Sequence, residues 1–182
     1  MSLICSYFEK HTSNFRMKHF SLLLLFLLLA TRLFAQNKNV PGPSPADQQA
    51  VAATVRTLFD SMRAADTVKA RSVLAPHFRI IVLTQNPAKE TITHETPAAK
   101  FLSQIGSKPP QSLDERFWDG QVQVDGDLAS YWCRYAFFNN GKFSHCGTDV
   151  FQLYRSKQGW RIVNLAYNIQ REGCDMKAIP PK

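Results

Sequence analysis

The chain has 182 residues, 45% of them hydrophobic and 20% charged, with a formal net charge of +8. That length and composition fit one globular domain with a real apolar core and exclude a disordered or fibrous chain. The Lys and Arg residues are scattered, with no run or helical stripe that would mark a nucleic-acid surface.

Lys18 and His19 precede an apolar run at positions 20–30, Arg32 closes it, and Leu33-Phe34-Ala35-Gln36 follows. Basic flank, short apolar stretch and small residue are the order of a cleavable export signal. A bilayer-spanning helix needs about 20 apolar residues, and this run falls well short. Residues 1–36 therefore read as a signal peptide, with Met17 a more natural start than Met1, and the mature protein is expected to be periplasmic or secreted. Removing them leaves 18 basic against 13 acidic residues, a net charge of +5.

Residues 37–46, with Pro41, Gly42, Pro43 and Pro45, read as a spacer. A domain is expected over 47–176, with a short tail at 177–182. Ser44 can cap a helix opening at Pro45, along which Val51, Val55, Leu58, Phe59 and Met62 recur at helical spacing. Asp66 or Thr67 caps a shorter helix that stops at Pro76. A strand at 78–83 follows, and Thr96-Pro97 opens a third helix ended by Gly106. Beyond Asp114 the texture turns aromatic and β-branched, broken by Asp125-Gly126, Asn140-Gly141 and Gln158-Gly159. These signals predict four strands, near 114–124, 128–138, 143–154 and 160–171, joined as an antiparallel meander.

Helices first and long strands last is an α+β order. Together with Gly141 to Phe151, which includes His145-Cys146-Gly147, then Gly159-Trp160-Arg161-Ile162 and the closing Arg171-Glu172-Gly173-Cys174, it resembles the nuclear transport factor 2-like (NTF2-like) superfamily. It is similar to exported bacterial members of unassigned function. The resemblance implies three N-terminal helices packed on a curved antiparallel sheet that forms a cone, with the concave face lining a pocket.

If both Asn140-Gly141 and Gln158-Gly159 are two-residue turns, Trp132, Asp149 and Asn168 form one row across the sheet. Arg134, Gly147 and Gln170 form the next row, with His145 one step further. A carboxylate, an imidazole, an amide and an indole converging there would suit acid–base chemistry or recognition of a small ligand. The candidate catalytic residues are Asp149 and His145, and the candidate ligand contacts are Trp132, Arg134, Asn168, Tyr167 and Gln170. The same register puts Cys174 within reach of Cys146 for a disulfide and leaves Cys133 free, the alternative being three inert thiols. His77, His94 and His145 show no ligand spacing, so neither a metal nor another cofactor is expected.

Three readings follow. The first is binding of a small apolar or aromatic molecule in the cone pocket. The second is an isomerase, dehydratase or cyclase with Asp149 as base and His145 or Tyr167 assisting. The third is a homodimer formed through an outer sheet face of Tyr131, Tyr135, Phe137, Val150 and Tyr154. No nucleic-acid partner is expected, nor membrane contact beyond the signal segment.

Overall fold

The computed structural model describes residues 44–182; the predicted signal peptide and most of the spacer lie outside the described residues. Helix α1 runs Pro45–Ala64. The Ser44 hydroxyl accepts from the Asp47 N–H at 3.1 Å, and Ala65 closes the helix in the left-handed region, its N–H donating to Met62 O. The Asp66 carboxylate then accepts from Lys69 N–H to cap α2, Thr67–Val73, so two consecutive caps set the angle between the helices. Strand β1 is Leu74–Gln85, β2 is Thr91–Pro97 and α3 is Ala98–Gly106. Four long strands complete the chain: β3 Leu113–Asp125, β4 Leu128–Asn139, β5 Lys142–Ser156 and β6 Gly159–Asn168.

The sheet order is β2-β1-β6-β5-β4-β3. The meander is antiparallel throughout, as is the β1–β2 hairpin, but β1 joins β6 in parallel, so the sheet is mixed. Strand β2 is new relative to the expectation. Its sequence, Thr-Ile-Thr-His-Glu-Thr-Pro, lies at the sheet edge and is almost wholly exposed, so burial left no apolar pattern to read.

One face of the sheet is covered by the helices, and the core lies between them. Phe59 of α1 stacks on Phe117 at 4.7 Å and meets the edge of Phe151 at 5.7 Å, while Phe101 of α3 packs on Phe78 of β1. Along β4, burial alternates: Tyr131, Cys133 and Tyr135 are buried inward, whereas Trp132 and Arg134 are half-exposed outward. Tyr131, Tyr135 and Phe137 therefore belong to the helix side and not to an outer dimer face. Of that predicted set only Val150 and Tyr154 remain on the outer surface.

The reversal has a local cause. Asn140 and Gly141 form the expected turn, both with positive φ, and Asn139 faces Lys142. Three residues further on, a bulge absorbs Ser144, and from Phe137↔His145 onward every partner is moved by one. Asp149 consequently faces Cys133 instead of Trp132. In the next hairpin the two-residue turn is Lys157-Gln158, one position earlier than expected, and a second bulge follows, so Asp149 faces Tyr167 instead of Asn168. A one-residue slip moves a side chain to the other face.

Candidate functional site

Inward pleat positions bring Glu115 of β3, Tyr135 and Phe137 of β4, His145 of β5 and Tyr167 of β6 beneath α3 and the end of α1. They line a cavity of about 310 Å³, walled by Met62, Phe101 and Ile105. Gln104 and Lys108 also line it and are exposed, which marks its mouth. The wall is mostly apolar and the polar groups are few, the usual composition of a small-molecule site.

Gly147 shapes the floor. A Cβ there would overlap the Asn168 carbonyl oxygen and stand 2.8 Å from Tyr135 Cε1. Lacking one, Gly147 lets the Tyr135 ring cross β5 and donate its hydroxyl to Asn168 O at 2.9 Å. Tyr135 in turn meets His145 and Tyr167 edge-on, at 5.7 and 6.0 Å. The Asn168 amide oxygen accepts from Thr148 N–H at 2.7 Å, which fills the gap where the β5–β6 ladder breaks.

Beneath the floor lies Asp149, fully buried. Its Oδ2 is 3.9 Å from Cys133 Sγ, and no fixed N–H or O–H donor reaches Oδ1. Its hydrogen-bonding neighbour is the Glu115 carboxyl, and two carboxyls can bond only when one holds a proton. Burial drives Asp149 far above the ordinary carboxylate range, and the Glu115 charge adds to the shift. Glu115 keeps some accessible surface, yet crowding around its carboxyl raises it to about 7, against the hydrogen bond from Asp149 and with the help of the Asp114 charge. Above pH 7 the pair thus holds one proton, with Asp149 as donor and Glu115 presenting oxygen to the cavity.

Deeper in the cavity than Lys108, His145, Tyr135 and Tyr167 are neutral at pH 7. Burial, then the nearby Arg171, lowers His145 to about 4, and Ser144 Oγ lies 2.9 Å from its Nδ1. Burial also raises Tyr167 to about 12 and Tyr135 further. The cavity can therefore grip a flat ring between aromatic side chains while Glu115 accepts a proton or a hydrogen bond from it.

Residues 46–168 match the model of the family described as "Putative lumazine-binding". The chain belongs to that family. Solved structures agree on the fold of this lumazine-binding-like domain. An NTF2-like protein with a cystatin-like fold from Novosphingobium aromaticivorans is 15% identical, with 85% of this chain and 96% of that one covered and a TM-score of 0.54. One of unknown function from Shewanella baltica is 14% identical over 70% and 98%, TM-score 0.52. A "putative dehydratase from the NTF2-like family" of Streptomyces avermitilis is 15% identical over 69% and 96%, TM-score 0.50. At such identities the likeness is one of fold. No curated protein matches the chain.

Of the residues the sequence singles out, the lumazine-binding-like domain brings His145 and Tyr167 into the cavity and sets Asp149 directly behind it. Trp132 and Arg134 lie on the opposite face, turned outward by the Ser144 bulge. Asn168 and Gln170 line a separate cleft at the end of β1 and β6, with Leu83, Lys89 and Arg171. Gln170 pairs there with Cys146 through both backbone groups. Cys146 is joined to Cys174 by a disulfide, and Cys133 is a buried free thiol. Glu115 went unrecognised. It stands among charged neighbours at the start of a strand, and the one signal for it was parity with Phe117, two residues on and inward. Among the described residues no group of three or more His, Cys, Asp or Glu side chains could hold a metal ion, and no helix is long and apolar enough to cross a membrane.

Proposed function

We propose that the domain binds a small flat heteroaromatic molecule in the cavity beneath α3, with a ring N–H of the ligand donating to Glu115. The observation that carries this reading is a carboxyl of tunable charge set beside neutral His145 and Tyr167 in an aromatic-walled enclosure. The family description supports a bicyclic ring of the lumazine type. Aromatic contact contributes about 0.5–1.5 kcal/mol per pair beyond area, and a hydrogen bond to a charged acceptor about 1.5–3 kcal/mol. Titrating the protein against lumazine, followed by ligand fluorescence anisotropy at pH 8, should give saturable binding that Glu115→Gln weakens about tenfold. Absence of binding at millimolar lumazine would sink the reading.

The acid–base alternative rests on the same carboxyls. Glu115 near 7 is poised as a general base at neutral pH, with Asp149 supporting it from behind in place of the base role first assigned to Asp149. Turnover would appear as solvent deuterium entering a bound carbonyl compound, lost in Glu115→Gln.

The signal-like segment at 1–36 supports export, and the Cys146–Cys174 bridge supports an oxidising compartment. Mass spectrometry of the mature protein should find a start at or close to Gln36; a full-length cytosolic product would refute this.

A further inference from the structure

We propose that the outer face of the sheet carries a second site, which takes a neutral sugar ring in the cleft between Trp118, Trp132, Arg134 and the C-terminal tail. The cleft holds about 590 Å³, lies on the other side of the sheet from the cavity, and is lined also by Gln121, Asp119 and Asp175.

Strand register builds it. Trp118 faces Arg134 and Gln121 faces Trp132 across the β3–β4 pair, so all four side chains share the outward face. Between Trp118 and Gln121 the strand bulges at Asp119-Gly120, with Asp119 held at φ 53°. Bulges re-aim side chains, and a non-glycine residue in the left-handed region is a cost that surrounding structure must sustain.

The chemistry of the lining selects the ligand. Two half-exposed indoles offer flat apolar surface for the C–H face of a pyranose, while guanidinium, amide and carboxylate groups are the planar partners that suit ring hydroxyls. One guanidinium against two carboxylates does not favour an anion. These groups also have capacity to spare. Arg134 joins no ion pair among the described residues, and its hydrogen bond to Thr148 Oγ1 is long, at 3.4 Å. Asp175 accepts from Lys177 N–H through one oxygen, Oδ1.

The tail forms the roof. Asp175, Ala178 and Ile179 border the cleft, the Cys146–Cys174 disulfide ties the tail at one end, and Arg116 Nη1 donates to Pro180 O at the other.

The test titrates the full chain with maltotriose, cellotriose and N-acetylchitotriose, each up to about 10 mM, following tryptophan emission. Trp118 and Trp132 report on the cleft, and Trp160 is buried in the core. At least one sugar should bind saturably, and Trp132→Leu and Arg134→Gln should each weaken it about tenfold while thermal melting stays close to wild type. Cys174→Ser, which frees the roof, should weaken it as well. No binding of any of the three sugars would overturn the proposal, as would binding that survives both cleft substitutions. So would a stable dimer that Arg134→Gln dissociates, since the face would then belong to a second copy.

Discussion

Replacing Glu115 by glutamine keeps the side chain's shape and removes the group that titrates near neutral pH. In the folded protein Glu115 sits at about 7, against an ordinary 4.5. Below pH 4.5 folded and unfolded chains both hold the proton. As pH rises from 4.5 to 7 the unfolded chain releases it and the folded one does not, so stability falls, and above 7 the loss levels off. Two and a half pH units at 1.36 kcal/mol per unit come to about 3 kcal/mol. His145 acts in the opposite sense, because its folded value near 4 means that stability is lost as pH falls below 6.5. Asp149, raised chiefly by burial, adds a fall of the same sign as that of Glu115, and His145 opposes both; because Glu115→Gln leaves the burial of Asp149 and His145 in place, their contributions largely cancel when wild type and variant are compared at each pH. The assay is urea unfolding of both proteins at half-unit steps from pH 4.5 to 8.5. The variant's advantage should grow by about 3 kcal/mol between pH 4.5 and 7 and then stay constant, with a melting-temperature gain of roughly 10 °C at pH 8. A difference that is flat across this range would refute the buried carboxyl pair.

Gly147→Ala should destabilise the domain by about 1–3 kcal/mol and weaken ligand binding, since the new methyl collides with Asn168 O and displaces the Tyr135 ring; an unchanged melting temperature would contradict this packing. Burial pushes Asp114 up, but hydrogen bonds from Arg63 at 2.7 Å and Arg116 at 3.0 Å outweigh it and hold the carboxyl below its ordinary value. Asp114→Asn should therefore cost about 3 kcal/mol at pH 7 and progressively less as pH falls below 4, measured by urea unfolding. Cys174→Ser opens a covalent loop with a sequence separation of 28 and should lower stability by about 3 kcal/mol, matched by wild type under reducing agent.

The elements were legible where local chemistry dictates them. Ser44-Pro45, Asp66 and Gly106 announce helix ends, Asn140-Gly141 can hardly be anything but a hairpin turn, and the aromatic runs after Asp114 alternate as strands. Helices before a meander then lead to the α+β class. Strand β2 was hidden because an exposed edge strand has no buried face to pattern it.

The site was not legible to the same degree. Asp149, His145 and Tyr167 do gather on one side of the sheet, yet the carboxyl that lines the cavity is that of Glu115 and not Asp149, and Trp132 and Arg134 face away. What separates the two outcomes is single residues absorbed at Ser144, in the β5–β6 turn and in the bulge that follows it. The side-chain period of a strand is two, so each absorbed residue exchanges inside for outside along everything beyond it. Whether a strand bulges is settled by which register buries Phe151 and Leu153 under α1 and lets Tyr135 pass over Gly147. Those are contacts between residues far apart in the chain, and they exist only once the helices lie on the sheet.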